Sequence, residues 1–336
     1  MPGTAVIIPF FQREAGVLAA AIRSALAQRD AGRITVVVCD DGSPVPADAE
    51  LAALAPMERD RVVLVRQANA GAGPARNAAL DAMPPGTEWI AFLDSDDRWG
   101  ADHIARSVAA LQAGHDLCFA DVQRDSEALT HFQNASFRPE QHEPIGALPG
   151  LYRFTGDFLA QNLTLSPVSI SSVVMRAGTL GDLRFPTMAF EDLMYWFEAA
   201  RRGSRVAFDG TLQVRYGNGN ITLTEGWKSP RELRNRLAYH SIFMRVRRDF
   251  ALTPRQRALL ARRMMQSRRG FCNTLLALLH GGRIPNWRVV AAFVALDPRV
   301  LRTLTGRAVT EAARRLPARR RAMSMPSDLR DTASPG

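Results

Sequence analysis

Three aspartates, Asp94, Asp96 and Asp97, crowd the end of the run Ile90-Ala-Phe-Leu-Asp-Ser-Asp-Asp-Arg-Trp99. Like charges this close raise one another's proton affinity unless a cation sits among them or water screens them. The pattern therefore reads in two ways. It is a solvated acidic turn, or it is an Asp-x-Asp site for Mg2+ or Mn2+, hard cations that take carboxylate oxygens and leave room for substrate phosphates. Three other stretches offer chemistry. Asp40-Asp41-Gly42-Ser43 is a turn or a carboxylate presented to a nucleobase. Asn69-Ala-Gly-Ala-Gly-Pro-Ala-Arg-Asn77 is a plain helix entry, or a loop whose backbone approaches an anionic ligand with Arg76 one turn inside the helix. Glu191-Asp192 opens a helical pattern as capping acids do, and a carboxylate there can equally act as a general base.

These groups need a scaffold. Continuous apolar runs at residues 5–10, 34–39, 62–65 and 89–93 suit strands buried on both faces of a parallel sheet. Helical patterns at 15–28, 48–55, 72–82 and 101–113 lie among them, and 117–121 reads as a fifth strand. The alternation predicts an α/β fold with an open, mostly parallel twisted sheet and flanking helices. Ligands of such sheets bind at the carboxyl ends of the strands. The three polar stretches follow the second, third and fourth strands, so they share one edge. Residues 124–149 read as an irregular insertion, 169–175 as a strand, 190–202 as a helix, and 206–208 and 213–216 as two short strands. The expected domains are a sheet domain over 1–228 (halves 1–122 and 123–228), a helical Arg-rich region over 229–322 and a disordered tail over 323–336.

Together the motifs resemble an inverting glycosyltransferase of family 2 with the GT-A nucleotide-sugar-binding fold. The matching pieces are Val6-Ile-Ile-Pro-Phe10, Val38-Cys-Asp-Asp-Gly-Ser43, Asn69-Ala-Gly through Arg76-Asn77, Phe92-Leu-Asp-Ser-Asp-Asp97 and Glu191-Asp192, spread over residues 4–220. The resemblance makes 1–122 the nucleotide-binding half and 123–228 the acceptor-side half. It implies that Asp41, with Asp40 beside it, contacts the base, and that Pro9 and Phe10 line the base pocket through backbone. It puts Asn69, Arg76 and Ser95 at the nucleotide sugar and Asp94 at the ribose or metal. Asp96 would coordinate a divalent cation, Mn2+ or Mg2+, that bridges the diphosphate. Asp192 would be the catalytic base, supported by Glu191. Within the acid knot, Asp94 and Asp96 are the ligand candidates, and Asp97 caps the following segment or supports Asp96. Many members carry a His after the late strands; here Arg215-Tyr-Gly-Asn-Gly-Asn-Ile-Thr222 has none, which leaves Asn218 or Asn220 to meet the diphosphate. The implied donor is a nucleotide-diphosphate sugar, a UDP-sugar first, and the implied acceptor is a glycan or a lipid-linked hydroxyl in cell-surface or exopolysaccharide synthesis. Two other readings stay open. A nucleotidyltransferase also uses Asp-x-Asp, but wants a Gly- and Lys-rich loop after the first strand, unlike Phe10-Phe-Gln-Arg-Glu-Ala-Gly16. A non-catalytic binding protein on the same fold could use its basic arm for nucleic acid or protein partners.

That arm is set apart by charge. Of the net +10, residues 1–250 contribute 26 basic against 29 acidic residues, while 251–322 hold 16 Arg against 2 acids. Basic helices with apolar faces fit an anionic membrane surface. Aromatics are few there (Phe271, Trp287, Phe293) and no nucleic-acid motif appears, which disfavours nucleic acid. Solvated helix faces are the plain alternative. Three dispersed cysteines imply reduced thiols. With no basic, apolar leader and no apolar run near the roughly 18 residues of a membrane span, the expected location is the cytoplasm, with peripheral contact at the inner face of the plasma membrane.

Overall fold

The structure is a computed structural model that describes residues 3–146, 148–217 and 230–306. Asn218, Asn220 and the tail 323–336 lie outside the described residues. The chain divides into two compact units, Met1–Leu223 with Ile242–Arg263 and Thr224–Ser241 with Met264–Gly336, so it passes between them more than once.

The first unit is built on a ten-stranded sheet. Its first part runs β1 (Gly3–Phe10), α1 (Leu18–Leu26), β2 (Arg33–Asp40), α2 (Ala47–Leu51), α3 (Pro56–Arg59), β3 (Val62–Arg66), α4 (Ala72–Asp81) and β4 (Thr87–Phe92). Next come β5 (Arg98–Trp99), α5 (His103–Gln112), β6 (Leu117–Arg124), α6 (His131–Asn134), β7 (Glu143–Pro144), β8 (Leu151–Arg153) and α7 (Phe158–Thr164). The last part holds β9 (Val174–Arg176), α8 (Ala177–Leu180), α9 (Glu191–Arg201) and β10 (Val206–Tyr216). The strand order is β3-β2-β1-β4-β9-β6-β10-β8-β7, with β5 against β10. Strands β3, β2, β1 and β4 are parallel, as are β6 and β10, while β9 is antiparallel to both its neighbours.

The apolar runs are continuous because both faces of the sheet are covered. Ala5, Ile7, Val37, Cys39, Ile90 and Phe92 enter one core; Val6, Ile8, Phe10, Val36, Val38, Trp89 and Ala91 enter the other. Successive side chains of a strand point to opposite faces, so a two-sided strand needs apolar residues at every position. Helices α4 and α9 pack into the first core, α1 and α5 into the second. That α4 and α9 share a face decides the site.

Several expectations are refined. Of the helix expected over 48–55 only the first part forms, as α2, which ends at Leu51; α3 begins beyond that span, with Pro56 at its first position, where the missing N–H costs nothing. Residues 169–175 begin with a 3-10 turn, Ile170–Ser172, and only then form β9. The two short strands expected at 206–208 and 213–216 are one strand, β10, with register shifts around residues 209–212. Here the buried Asp209 carboxylate is held by Arg106 and by the backbone and hydroxyl of Thr211, so the strand crosses it as a bulge.

The chain continues with α10 (Pro230–Asp249), α11 (Pro254–His280) and α12 (Trp287–Leu296). In the second unit Leu233, Phe271, Leu275, Leu278, Val289, Phe293 and Val300 form a small core. His240 is buried there, stacked on Phe293 and bonded to Asp297, which also takes Arg268. All three cysteines are buried and free.

Candidate active site

The carboxyl ends of β1, β2 and β4 lie side by side, with Phe10 opposite Asp40 and Ile7 opposite Phe92. Because β9 runs the other way, the turn before it, Ile170–Ser172, arrives at the same edge. The end of β10 arrives there too, since β10 is parallel to β6.

At the end of β2 the two aspartates are engaged by backbone. Asp40 accepts from Ser43 N at 2.8 Å and Ala47 N at 2.9 Å, and so shapes its own loop. Asp41 accepts from Gln67 Nε2 at 2.7 Å, Ala70 N at 2.8 Å and Gly71 N at 2.8 Å. Asn69 Nδ2 donates to the Asp41 carbonyl at 3.0 Å. The anion at the entry of α4 is therefore the protein's own carboxylate. Gly42, at φ +66°, lets the loops meet, since a Cβ there would sit 3.0 Å from Asn69 N. Phe10 is wholly buried in the core, so only its backbone reaches the edge; its carbonyl takes Asp41 N at 2.9 Å. Pro9 is part-exposed beside it.

The acid knot after β4 is split by burial. Asp94 and Asp96 are part-exposed, whereas Ser95 and Asp97 are buried. Asp97 takes Ser171 Oγ at 2.5 Å and Gly217 N at 3.0 Å. Burial, then the charges of Asp94 and Asp96, push its carboxyl well above the usual range, against the pull of those two hydrogen bonds. Ser171 Oγ also accepts Asp94 N at 3.0 Å, and Trp99 Nε1 donates to the Ser171 carbonyl at 2.6 Å. Gly217 fits only as glycine: a Cβ would lie 1.8 Å from the Asp96 carbonyl oxygen. Ser95 accepts from Gln12 Nε2 at 3.1 Å, and Gln12 is tied to Ser43 by two further bonds. Gln67 is legible only as a polar residue after the third strand and Gly217 only as part of the segment without a His; Gln12 and Ser171 carry no chemical signature, and none of the four shows its partner in the sequence.

The two halves of the edge are joined by Arg76, only 4% exposed. Its terminal nitrogens donate to Asp94 Oδ1 and Glu191 Oε1, each at 2.6 Å, and its guanidinium lies over the Phe185 ring. Burial alone disfavours its charge, but Asp94, Glu191 and Asp192 outweigh that and raise its pKa. Two features let α4 come so near α9. Gly73 meets Pro186 O at 2.8 Å and Glu191 Cγ at 3.0 Å from where a Cβ would be. Asn77 exchanges a reciprocal pair of bonds with the Phe185 backbone, 2.8 and 2.9 Å. Phe185 itself stacks on Tyr195 and meets Phe92 edge-on.

Phe190, just before α9, adopts a left-handed backbone (φ 59°, ψ 37°), a conformation that costs a bulky residue about 1–3 kcal/mol. It redirects the chain so that α9 opens on Glu191 and Asp192 facing Arg76. Asp192 is part-buried and takes Leu193 N at 2.8 Å. Burial first, then Glu191 and Asp94, push its carboxyl up to about 6, with Arg76 and the Leu193 bond opposing. Arg76 and Glu191 thus link the acid knot, through Asp94, to a raised aspartate. Among the described residues no three His, Cys, Asp or Glu converge as in an all-protein metal cage. An ion that completes its shell with phosphate oxygens needs only one or two carboxylates, and Asp94 and Asp96 fit that smaller set.

This sheet with its strand-end acids is the GT-A arrangement of a glycosyltransferase. The chain belongs to Glycosyl transferase family 2, whose match spans residues 5–177, half of its length. It is 28% identical to the succinoglycan biosynthesis protein ExoW of Rhizobium meliloti (strain 1021), over 92% of this chain and 98% of that one. It is 35% identical to ExoO, another succinoglycan biosynthesis protein of that strain, over 41% of this chain and 37% of the relative. Among solved structures it resembles the mannosyltransferase PcManGT from Pyrobaculum calidifontis, in complex with GDP-Man and Mn2+. That likeness covers 92% of this chain and 86% of the other, with a TM-score of 0.58 at 17% identity. It likewise resembles S. aureus TarS 1-349 in complex with UDP-GlcNAc, over 90% of this chain and 82% of that one, with a TM-score of 0.57 at 14% identity.

Proposed function

We propose that this enzyme moves a sugar, with inversion, from a nucleoside-diphosphate sugar to a hydroxyl of a glycan or lipid-linked acceptor in polysaccharide assembly. The observation that carries the reading is the Arg76 bridge, which holds the base candidate Asp192 within one charge network with the Asp-x-Asp motif. The part ExoW plays in succinoglycan biosynthesis supports a polysaccharide product, and the nucleotides bound by PcManGT and TarS support the donor class. A UDP-sugar is the first donor to try.

Asp96, with Asp94, would hold Mn2+ or Mg2+. Such an ion, when bound, neutralises the diphosphate as it leaves. The chain's own part is positional and acid–base. Asp41 braces the loop beside the base pocket, and the backbone of Pro9 and Phe10 lines it. Asp192 takes the proton from the acceptor hydroxyl as the new C–O bond forms at the anomeric carbon. The bond to the diphosphate breaks on the opposite face, so configuration inverts without a covalent enzyme intermediate. A carboxylate of pKa about 6 is charged at neutral pH yet more basic than an ordinary aspartate, which suits a general base.

The test is Asp192→Asn. Turnover should fall about 10²–10⁴-fold while donor affinity, read by calorimetry, stays unchanged. In the unaltered enzyme the rate should rise with pH through about 6, as Asp192 loses its proton. Near-normal turnover in the Asn variant would sink the assignment, and a product of retained anomeric configuration by NMR would sink the inverting course.

A further inference from the structure

We propose that the turn between α11 and α12 is a docking tip that seats the protein on a bilayer surface rich in anionic lipid. This goes beyond sugar transfer and does not depend on it.

The tip is a built feature. Helix α11 ends in a Schellman-type turn: Gly282 takes a left-handed φ of +65°, Arg283 N bonds Leu278 O at 2.9 Å, and Gly281 N bonds Ala277 O at 3.0 Å. Asn286 then caps α12 by accepting from Arg288 N and Val289 N. Leu278, Val289 and Phe293 turn inward to the core of this unit. Three large apolar neighbours do not: Leu279 is 43% exposed, Ile284 82% and Trp287 56%. Single exposed apolar residues are ordinary on any surface, but three within nine positions around one anchored turn form a patch.

Charge says what the patch meets. His280, Arg283 and Arg288 are exposed among the three apolar side chains. From Phe250 to Leu296 the sequence holds eight Arg and no Asp or Glu, so this stretch of chain, the tip included, carries charge of one sign. A second copy of the tip would be repelled. So would residues 307–322 of the chain, which carry six Arg against one Glu. An anionic bilayer complements both parts of the pattern. Trp favours the interfacial zone, Leu and Ile enter the acyl boundary, and Arg stems lie along apolar surface while their heads reach lipid phosphates. Nucleic acid would engage the arginines but leave Ile284 and Leu279 in water. No helix among the described residues is long and apolar enough to cross a membrane, so this contact lies in the interface.

The experiment is flotation of the full chain with phosphatidylcholine vesicles, with and without phosphatidylglycerol, at low and high salt. Neither donor nor acceptor is present, so the result is independent of the catalytic reading. Binding is expected only with the anionic lipid, and it should weaken in salt. The double variant Arg283→Glu, Arg288→Glu should lower partitioning at least about 25-fold, from roughly fivefold per basic residue. Ile284→Ser with Trp287→Ser should lower it about tenfold or more. Both pairs are surface changes, so circular dichroism and the melting temperature should hold. Should either variant melt early, Trp287→Phe reads the same point in an otherwise intact chain: the lipid-induced blue shift of tryptophan fluorescence should vanish. Any of four results would overturn the proposal: no flotation at low salt, flotation indifferent to Ile284 and Trp287, flotation displaced by an RNA oligomer, or a Trp287-dependent dimer in sedimentation.

Discussion

Two pairs of strand-end acids lie on one edge of this sheet and are held in opposite ways. Asp40 and Asp41, after β2, accept four backbone N–H groups and one side-chain amide. They tie down the loop at 43–47 and the entry of α4. Asp94 and Asp96, after β4, stay part-exposed; Asp94 faces Arg76, while the buried Asp97 beneath takes the structural bonds. Asp-Asp and Asp-x-Asp-Asp look alike as clusters of charge. What separates them is how many lone pairs the backbone already claims. Asp40 and Asp41 are saturated by amide donors and brace their loops, whereas Asp94 is held by an arginine at a part-exposed edge.

Four substitutions would break or sharpen that contrast. Asp96→Ala has the largest expected effect: metal-dependent transfer should fall on the order of 10³-fold, measured as donor turnover across a manganese titration. Retained turnover would place the ion elsewhere. Arg76→Met should cost about 3–5 kcal/mol in urea unfolding, because it strands two carboxylates beside a third. Arg76 holds the Asp192 pKa down, so its loss should also move the acidic limb of the rate profile above about 6. At pH 6 the variant should lose more of its rate than at pH 8; an unmoved limb would uncouple Arg76 from the base. Gly217→Ala should cost about 1–3 kcal/mol of stability and also depress turnover, since the Asp96 backbone must retreat from the new Cβ. An unaltered melting curve and rate would show that the two segments part easily. Smallest is Asp41→Asn, about 1–3 kcal/mol. The amide NH2 would confront an N–H of Gln67, Ala70 or Gly71. Donor affinity should fall only as far as the loop loosens, so a loss of affinity with no loss of stability would make Asp41 a direct base contact.

Much of the fold was legible because two-sided burial imprints itself on every residue of a strand. The runs at 5–10, 34–39 and 89–93 match β1, β2 and the end of β4 within a few residues. Helices α1, α4, α5 and α9 fall inside their predicted spans. Local signals failed where a long-range bond overrode them. The gap expected between strands at 206–208 and 213–216 closes because Arg106, 103 residues away, holds the Asp209 carboxylate within β10. The site divides the same way. Its acids and Arg76 were legible as types, but the jobs of Gln67, Asn77, Ser171 and Gly217 were not, since their partners come from 26 to 120 residues away.

The sequence by itself determined that an α/β sheet would carry acids at the ends of its second and fourth strands, because strand ends and apolar periodicity are local properties. It also determined that the basic charge would gather after residue 250. Only the tertiary structure decided which acids the backbone saturates and which lie part-exposed at the edge beside Arg76. That depends on where α4 and α9 meet and on the reversed strand β9, which brings Ser171 under the acid knot. Whether a carboxylate is saturated, paired or pushed up in pKa is set by neighbours within a few ångströms. Folding draws those neighbours from distant parts of the chain.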